Sequence, residues 1–295
     1  MTWRGTMGRV VAAGGLLACL GLTGCGKPVA SAAPAAGEVL TVYVPCGMER
    51  PFTAAQEAFQ LSHPGVQVNV VLDNGAVLVR RLLDKGEKAD LLVSPGTLEM
   101  DTMVQAGALE QGKVTPFGRF ELVLFTPRRN PAGVTCMADL AKAAVTTLAI
   151  ADPAVNSVGK YTRQALEKAN LWEVLQPKMT FADHPITAYK HVAREKAEAS
   201  FAYRSCPLKT APEKLEYSKI RIIASVPLDS YEPAYACIAP LTTSARAREF
   251  IDFLLSPAGQ KLLEEYDIPP LAGSAARPST LPPGGAPEAA ATAGE

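Results

Sequence analysis

Cys46, Gly47 and Met48, in the stretch "YVPCGMERPF" (43–52), stand where an apolar run ends and a helical pattern begins. Such a strand-to-helix turn is where many α/β proteins hold a small ligand, because the first N–H groups of the helix are unpaired and its dipole presents a positive end. Cys46, Met48, Asp73, Asp152, His184 and Tyr203 all fall on connections that an alternating strand-helix order directs toward one cleft. Three chemistries are open to such a set. Thiolate, imidazole and carboxylate are ligands for a zinc-like or copper-like cation, although these residues occur singly, with no C-x-x-C or H-x-x-x-H spacing. A thiol at a helix N-terminus is expected to have a lowered pKa, and Cys46 with His184 across a cleft would make a nucleophile and base, but no local signature accompanies the pair. Finally, bare peptide amides at helix starts would suit an anion, which a thiolate nearby would repel.

The elements that position these residues are legible as alternating patterns. "VLTVYV" (39–44), "VQVNVVL" (66–72) and "ADLLVS" (89–94) are strand-like and each precedes a helical pattern, as in parallel βαβ units. Residues 76–85 carry Val79, Leu82 and Leu83 on one stripe with Gly86 as a stop, and Leu98, Met100, Met103 and Val104 mark a second helix ending near Gly107. The Met residues there read as core filler. Further strands are expected at 120–127, 146–152, 200–205, 219–227 and 234–241, with a helix over 161–175 and two C-terminal helices parted at Pro257. So many strands exceed the usual width of one sheet, so the pattern predicts two α/β lobes with the ligand cleft between them.

Lys plus Arg and Asp plus Glu balance at 29 each in 295 residues, without the basic surface that nucleic-acid binding needs. Residues 1–24 combine Arg4 and Arg9 with an apolar run too short to span a bilayer, the layout of a secretory signal. "LTGC" (22–25) resembles a bacterial lipobox, which makes Cys25 an acylated anchor. Residues 25–37 read as a flexible tether and 273–295 as a disordered tail, since neither offers large apolar side chains to offset ordering entropy. Cys46, Cys136, Cys206 and Cys237 remain in the body, where an exported compartment permits disulfides; Cys206 with Cys237 is the favoured pairing.

"LAIADPAVNSVGKYTRQALEKANLWEVLQPKM" (148–179) resembles the A-D-P…G-x-Y-x-x-x-A-L…L-W segment of periplasmic molybdate-binding proteins, the type II solute receptors of molybdate ABC importers. "KGEKADLLVS", "FAYRS" and "FLLSPAGQKLLEEYDI" are similar to other landmarks of that family, in the same order. The resemblance implies an α/β fold of two lobes, each a mostly parallel sheet flanked by helices, with lobe 1 from 38–118 plus 237–272 and lobe 2 from 119–236. It also implies a monomeric, non-enzymatic, extracytoplasmic lipoprotein of the periplasm or cell surface, without cofactor, that hands molybdate or a similar oxyanion such as tungstate to a membrane permease. In that family serine hydroxyls, backbone amides and a tyrosine hydroxyl hold the anion. The tyrosine falls on Tyr203 and one amide on Val158, but the serines fall on Gly47 and Ala76, and another amide on Pro185, which has no N–H. Losing three bonds to a charged partner, at roughly 1.5–3 kcal/mol each, would remove about 4.5–9 kcal/mol. The expected substitutes are the Gly47 and Gly75 backbones, the Asn74 amide and the N–H groups of Ile186 and Thr187. The alternative guest is a transition-metal cation held by Cys46, His184 and nearby carboxylates.

Overall fold

The computed structural model describes residues 38–206 and 219–271. The signal, the Cys25 anchor, the tether and the tail lie outside the described residues. Strand β1 (Glu38–Pro45) is flanked in parallel by β2 (Val66–Asp73) and β3 (Leu91–Ser94). Burial on both faces explains its nearly continuous apolar run: Val42 and Val44 enter one hydrophobic cluster, while Tyr43 enters another on the opposite face. The sheet is completed by β4 (Thr115–Arg119) and β10 (Tyr235–Pro240), in the order β2-β1-β3-β10-β4, with β10 antiparallel to both neighbours.

The second region holds β5 (Leu122–Pro127), antiparallel to β8 (Ser200–Tyr203) and β9 (Ile220–Ser225). Beside them β6 (Leu148–Ala151) pairs in parallel with β7 (Met179–Ala182), and a bridge from Leu148 to Ala199 ties this pair to the approach of β8. The sheets are therefore more mixed than the expected mostly parallel ones. The cause is the crossing: the chain leaves the first sheet from β4 straight into β5 and returns from β9 into β10, so strands on either side of each passage run against their neighbours. The two passages are bonded to each other, Phe120 N to the Ala234 carbonyl at 2.8 Å and Leu122 N to the Tyr231 hydroxyl at 3.0 Å.

Helices cover both sheets. A 3-10 turn (Cys46–Met48) leads into α1 (Glu49–Ser62), then come α2 (Gly75–Leu83) and α3 (Leu98–Gln105). Gly86 and Gly107, at φ 64 and 69, end α2 and α3 where those stops were expected. The helix expected over 161–175 is instead α4 (Ser157–Lys168) and the short α5 (Trp172–Leu175), because Asn170 adopts a left-handed conformation between them. After α6 (Pro185–Ala193), the closing helices α7 (Ala245–Leu255) and α8 (Pro257–Glu264) return to the first sheet, where Phe250 and Phe253 pack on Phe59 of α1. Among the described residues no helix is long and apolar enough to cross a membrane.

Candidate functional site

A cleft of about 520 Å³ lies between the two sheet regions. Its walls are helix starts: the Cys46–Met48 turn before α1, Asn74 and Gly75 of α2, Asn156 and Val158 of α4, and His184 to Ile186 of α6. The first turns of α2, α4 and α6 contain no acidic residue, so nothing in them neutralises the positive dipole ends. Each of these helices is instead capped from its own N-terminal residue. Asn74 Oδ1 accepts from Ala76 N at 2.9 Å, Asn156 Oδ1 from Val158 N at 2.9 Å, and His184 Nδ1 from Ile186 N at 3.0 Å.

Tyr203, at the end of β8, presents a different situation. The residue is 3% exposed and lines the cleft, and its hydroxyl makes no hydrogen bond. The Ser157 hydroxyl stands within reach of it, but in a geometry that does not close a hydrogen bond. Its ring stacks on Phe120, with centroids 4.6 Å apart and planes 17° from parallel. Burial pushes the phenol well above its ordinary pKa, so it stays a neutral donor. A buried donor without a partner costs free energy, and a guest that accepts from it recovers that cost.

At the mouth, Cys46 Sγ and His184 Nε2 are 3.4 Å apart. Because Nδ1 accepts the Ile186 amide hydrogen, the neutral ring carries its proton on Nε2 and donates it to sulfur. Burial lowers the His184 pKa and raises that of Cys46; the Gly47 N–H opposes the rise in Cys46 but is outweighed. This corrects the expectation of an activated thiol. The imidazole has no free lone pair with which to take a proton, and the sulfur is a neutral thiol, so the repulsion a thiolate would exert on an anion is absent.

Other expected members do not join the cleft. Asp152 accepts from Ala154 N at 2.8 Å, closing its own turn. Asp73 accepts from Asn74 N at 2.8 Å and pairs with Arg81 at 3.5 Å, and Arg81 is held by Glu87 at 2.8 Å. Ala76 stands one residue beyond the lining, and Met48, although it lines the cleft, is 2% exposed and packs in the main core cluster. Among the described residues no three His, Cys, Asp or Glu side chains are grouped to hold a metal ion. The favoured Cys206–Cys237 bridge is also absent: the four cysteines among the described residues are all free. Cys237 faces the second core cluster from β10, while Cys206 sits beside the cleft, 3.8 Å from where a Gly47 Cβ would stand. At Gly75 the space a Cβ would fill is taken by Glu99 Oε1 at 2.5 Å, so the missing side chain serves packing, while the residue itself lines the cleft.

Glu99 and Asn156 line the cleft without having been singled out in the sequence, and Cys206, expected only as a disulfide partner, lines it too. For Glu99 a signal existed: it precedes Met103 by four residues, which puts an acid on the buried face of α3.

The profile of bacterial extracellular solute-binding proteins matches residues 40–266. The chain belongs to this family. It is a two-lobed solute-binding protein and not an enzyme. Among its relatives is the molybdate-binding protein ModA of Mycobacterium tuberculosis, 26% identical over 272 residues, which are 90% of this chain and 98% of the relative. The periplasmic molybdate-binding protein of Azotobacter vinelandii superposes with a TM-score of 0.62 at 16% identity, covering 78% of this chain and 98% of that one. The sulfate-binding protein SubI of M. tuberculosis gives 0.66 at 16% identity, covering 80% and 88%. At these identities the superpositions show the fold alone.

Proposed function

We propose that this family member captures a fully ionised tetrahedral oxyanion, molybdate or tungstate first, and delivers it to the membrane subunit of an ABC importer. In this reading it acts as a monomer tethered to the membrane through acylated Cys25. One observation carries the proposal: three helix starts with no acidic residue in their first turn converge on a buried tyrosine hydroxyl that has no partner. Helix N-termini bind anions through free amides and dipole, without a metal or a cationic side chain. The names of the molybdate-binding relatives point the same way.

The guest would take the Tyr203 hydroxyl and the Val158 amide from one side, and the Gly47 and Gly75 amides with the Asn74 side chain from the other. The Asn74 and Asn156 caps occupy two amides, and each cap contributes about 0.5–2 kcal/mol. An anion that displaces them replaces a neutral acceptor with a charged one, a stronger bond. The cleft is larger than one tetrahedral anion fills, so capture includes closure of the lobes about the paired crossing passages. Cation binding lacks support at its carboxylates, since Asp73 and Asp152 are engaged elsewhere.

The test is calorimetric titration of the mature chain with molybdate, tungstate, sulfate, phosphate and zinc. Saturable binding of molybdate and tungstate is the expected result. Silence toward all four anions, with or without zinc uptake, overturns the reading.

A further inference from the structure

Glu99 is 4% exposed at the floor of the cleft, and no ion pair reaches it among the described residues. Its Oε2 lies 2.9 Å from Ser94 Oγ and 3.0 Å from Ser157 Oγ. Ser94 belongs to β3 and Ser157 to the first turn of α4, so the carboxyl joins the two sheet regions. Ser94 has one hydroxyl hydrogen and two acceptors in reach, Glu99 Oε2 and the Gly96 carbonyl at 2.5 Å, so it cannot serve both fully. A carboxylate at this place is therefore short of donors as well as buried and without an ion pair, which favours Glu99 as a neutral acid.

We propose that Glu99 couples anion capture to a proton: the cleft holds a dianion only while Glu99 is a neutral acid, and ionisation of Glu99 drives the dianion out. This rests on the oxyanion reading of the cleft. The physics is like-charge repulsion in a site shielded from water. Burial raises the Glu99 pKa in the same sense. No cationic side chain pairs with it among the described residues. Around it are Asp101 and its own backbone N–H at the start of α3, Ser94 on β3, Ser157 on α4, Tyr203 on β8, Cys237 on β10 and the Gly75 backbone of α2, while Glu49 and Arg50 line the same cleft with neutral Cys46 and His184. The N–H and the two serines favour the ionised form, but burial outweighs them.

The experiment measures tungstate and molybdate affinity of the mature chain by calorimetry from pH 6 to pH 9, in the wild type and in Glu99→Gln, a range over which both anions stay fully ionised. The wild type is expected to weaken about tenfold per pH unit once the Glu99 pKa is passed, and Glu99→Gln to bind with a flat profile. Wild-type titrations in two buffers of different ionisation enthalpy add a readout independent of the variant, and one proton taken up per anion in the weakening range is expected. A flat wild-type profile, an unchanged slope in Glu99→Gln, or no proton uptake overturns the coupling while leaving anion binding intact. Silence toward both anions at every pH in both proteins overturns the oxyanion reading itself.

Discussion

Replacing Tyr203 with Phe should move stability and affinity in opposite directions. The ring and its stack on Phe120 survive the change, and only the hydroxyl leaves. In the empty protein that hydroxyl is buried and unpartnered, a condition that costs about 1–3 kcal/mol. Its removal should therefore raise the melting temperature, by about 2–4 °C per kcal/mol for a domain of this size. On the proposed oxyanion reading the same hydroxyl donates to a charged oxygen of the guest, worth roughly 1.5–3 kcal/mol, so the anion should bind about 10- to 150-fold more weakly. Differential scanning calorimetry on the empty protein and titration calorimetry with molybdate read the two effects separately. A lower melting temperature would mean that the hydroxyl already has a partner, and an affinity unchanged within twofold would remove it from the site.

Gly47→Ser restores a hydroxyl where the resemblance places one, and its Cβ meets nothing nearer than Cys206 Sγ at 3.8 Å. It should tighten molybdate binding by about tenfold or more in the same titration. Gly75→Ala drives a Cβ to 2.5 Å from Glu99 Oε1 and should lower stability by about 1–3 kcal/mol, read by denaturant unfolding. The pKa of His184 is depressed in the fold, so its contribution is fully present above the unfolded value of about 6.5 and is lost as pH falls from there toward the folded value. His184→Asn, which can still cap α6, should flatten that part of the stability profile.

Much of the fold could be read in advance because its signals are local and redundant. The "VLTVYV" strand is buried on both faces and reads as a continuous apolar run, and Gly86 and Gly107 end their helices through positive φ. β4, with the sequence "TPFGR", was not legible, since Pro116 and Gly118 argue against a strand. Gly118 is there because Ile268 Cγ2 comes within 2.6 Å of its Cβ position, a contact made 150 residues away. The cleft was legible at the level of helix starts: Gly47, Asn74, Val158 and His184 all line it, as does Tyr203 at the end of β8. What was not legible is where each side chain spends its hydrogen bonds. Ala76 lies one residue from the lining Gly75 and Asp152 four from the lining Asn156, and both are consumed by local turns; the thiol at a helix start was expected to be acidic when burial makes it the reverse.

The stack of Tyr203 on Phe120 has a mechanical consequence. Phe120 belongs to the outgoing passage, and its amide is pinned to Ala234 of the returning one, so the tyrosine that would sense the guest rests against the axle of the molecule. Recognition and bending are then one displacement seen from two ends. A membrane partner that grips only the outer surfaces of the lobes would learn the occupancy of the interior from their angle, without touching the cargo.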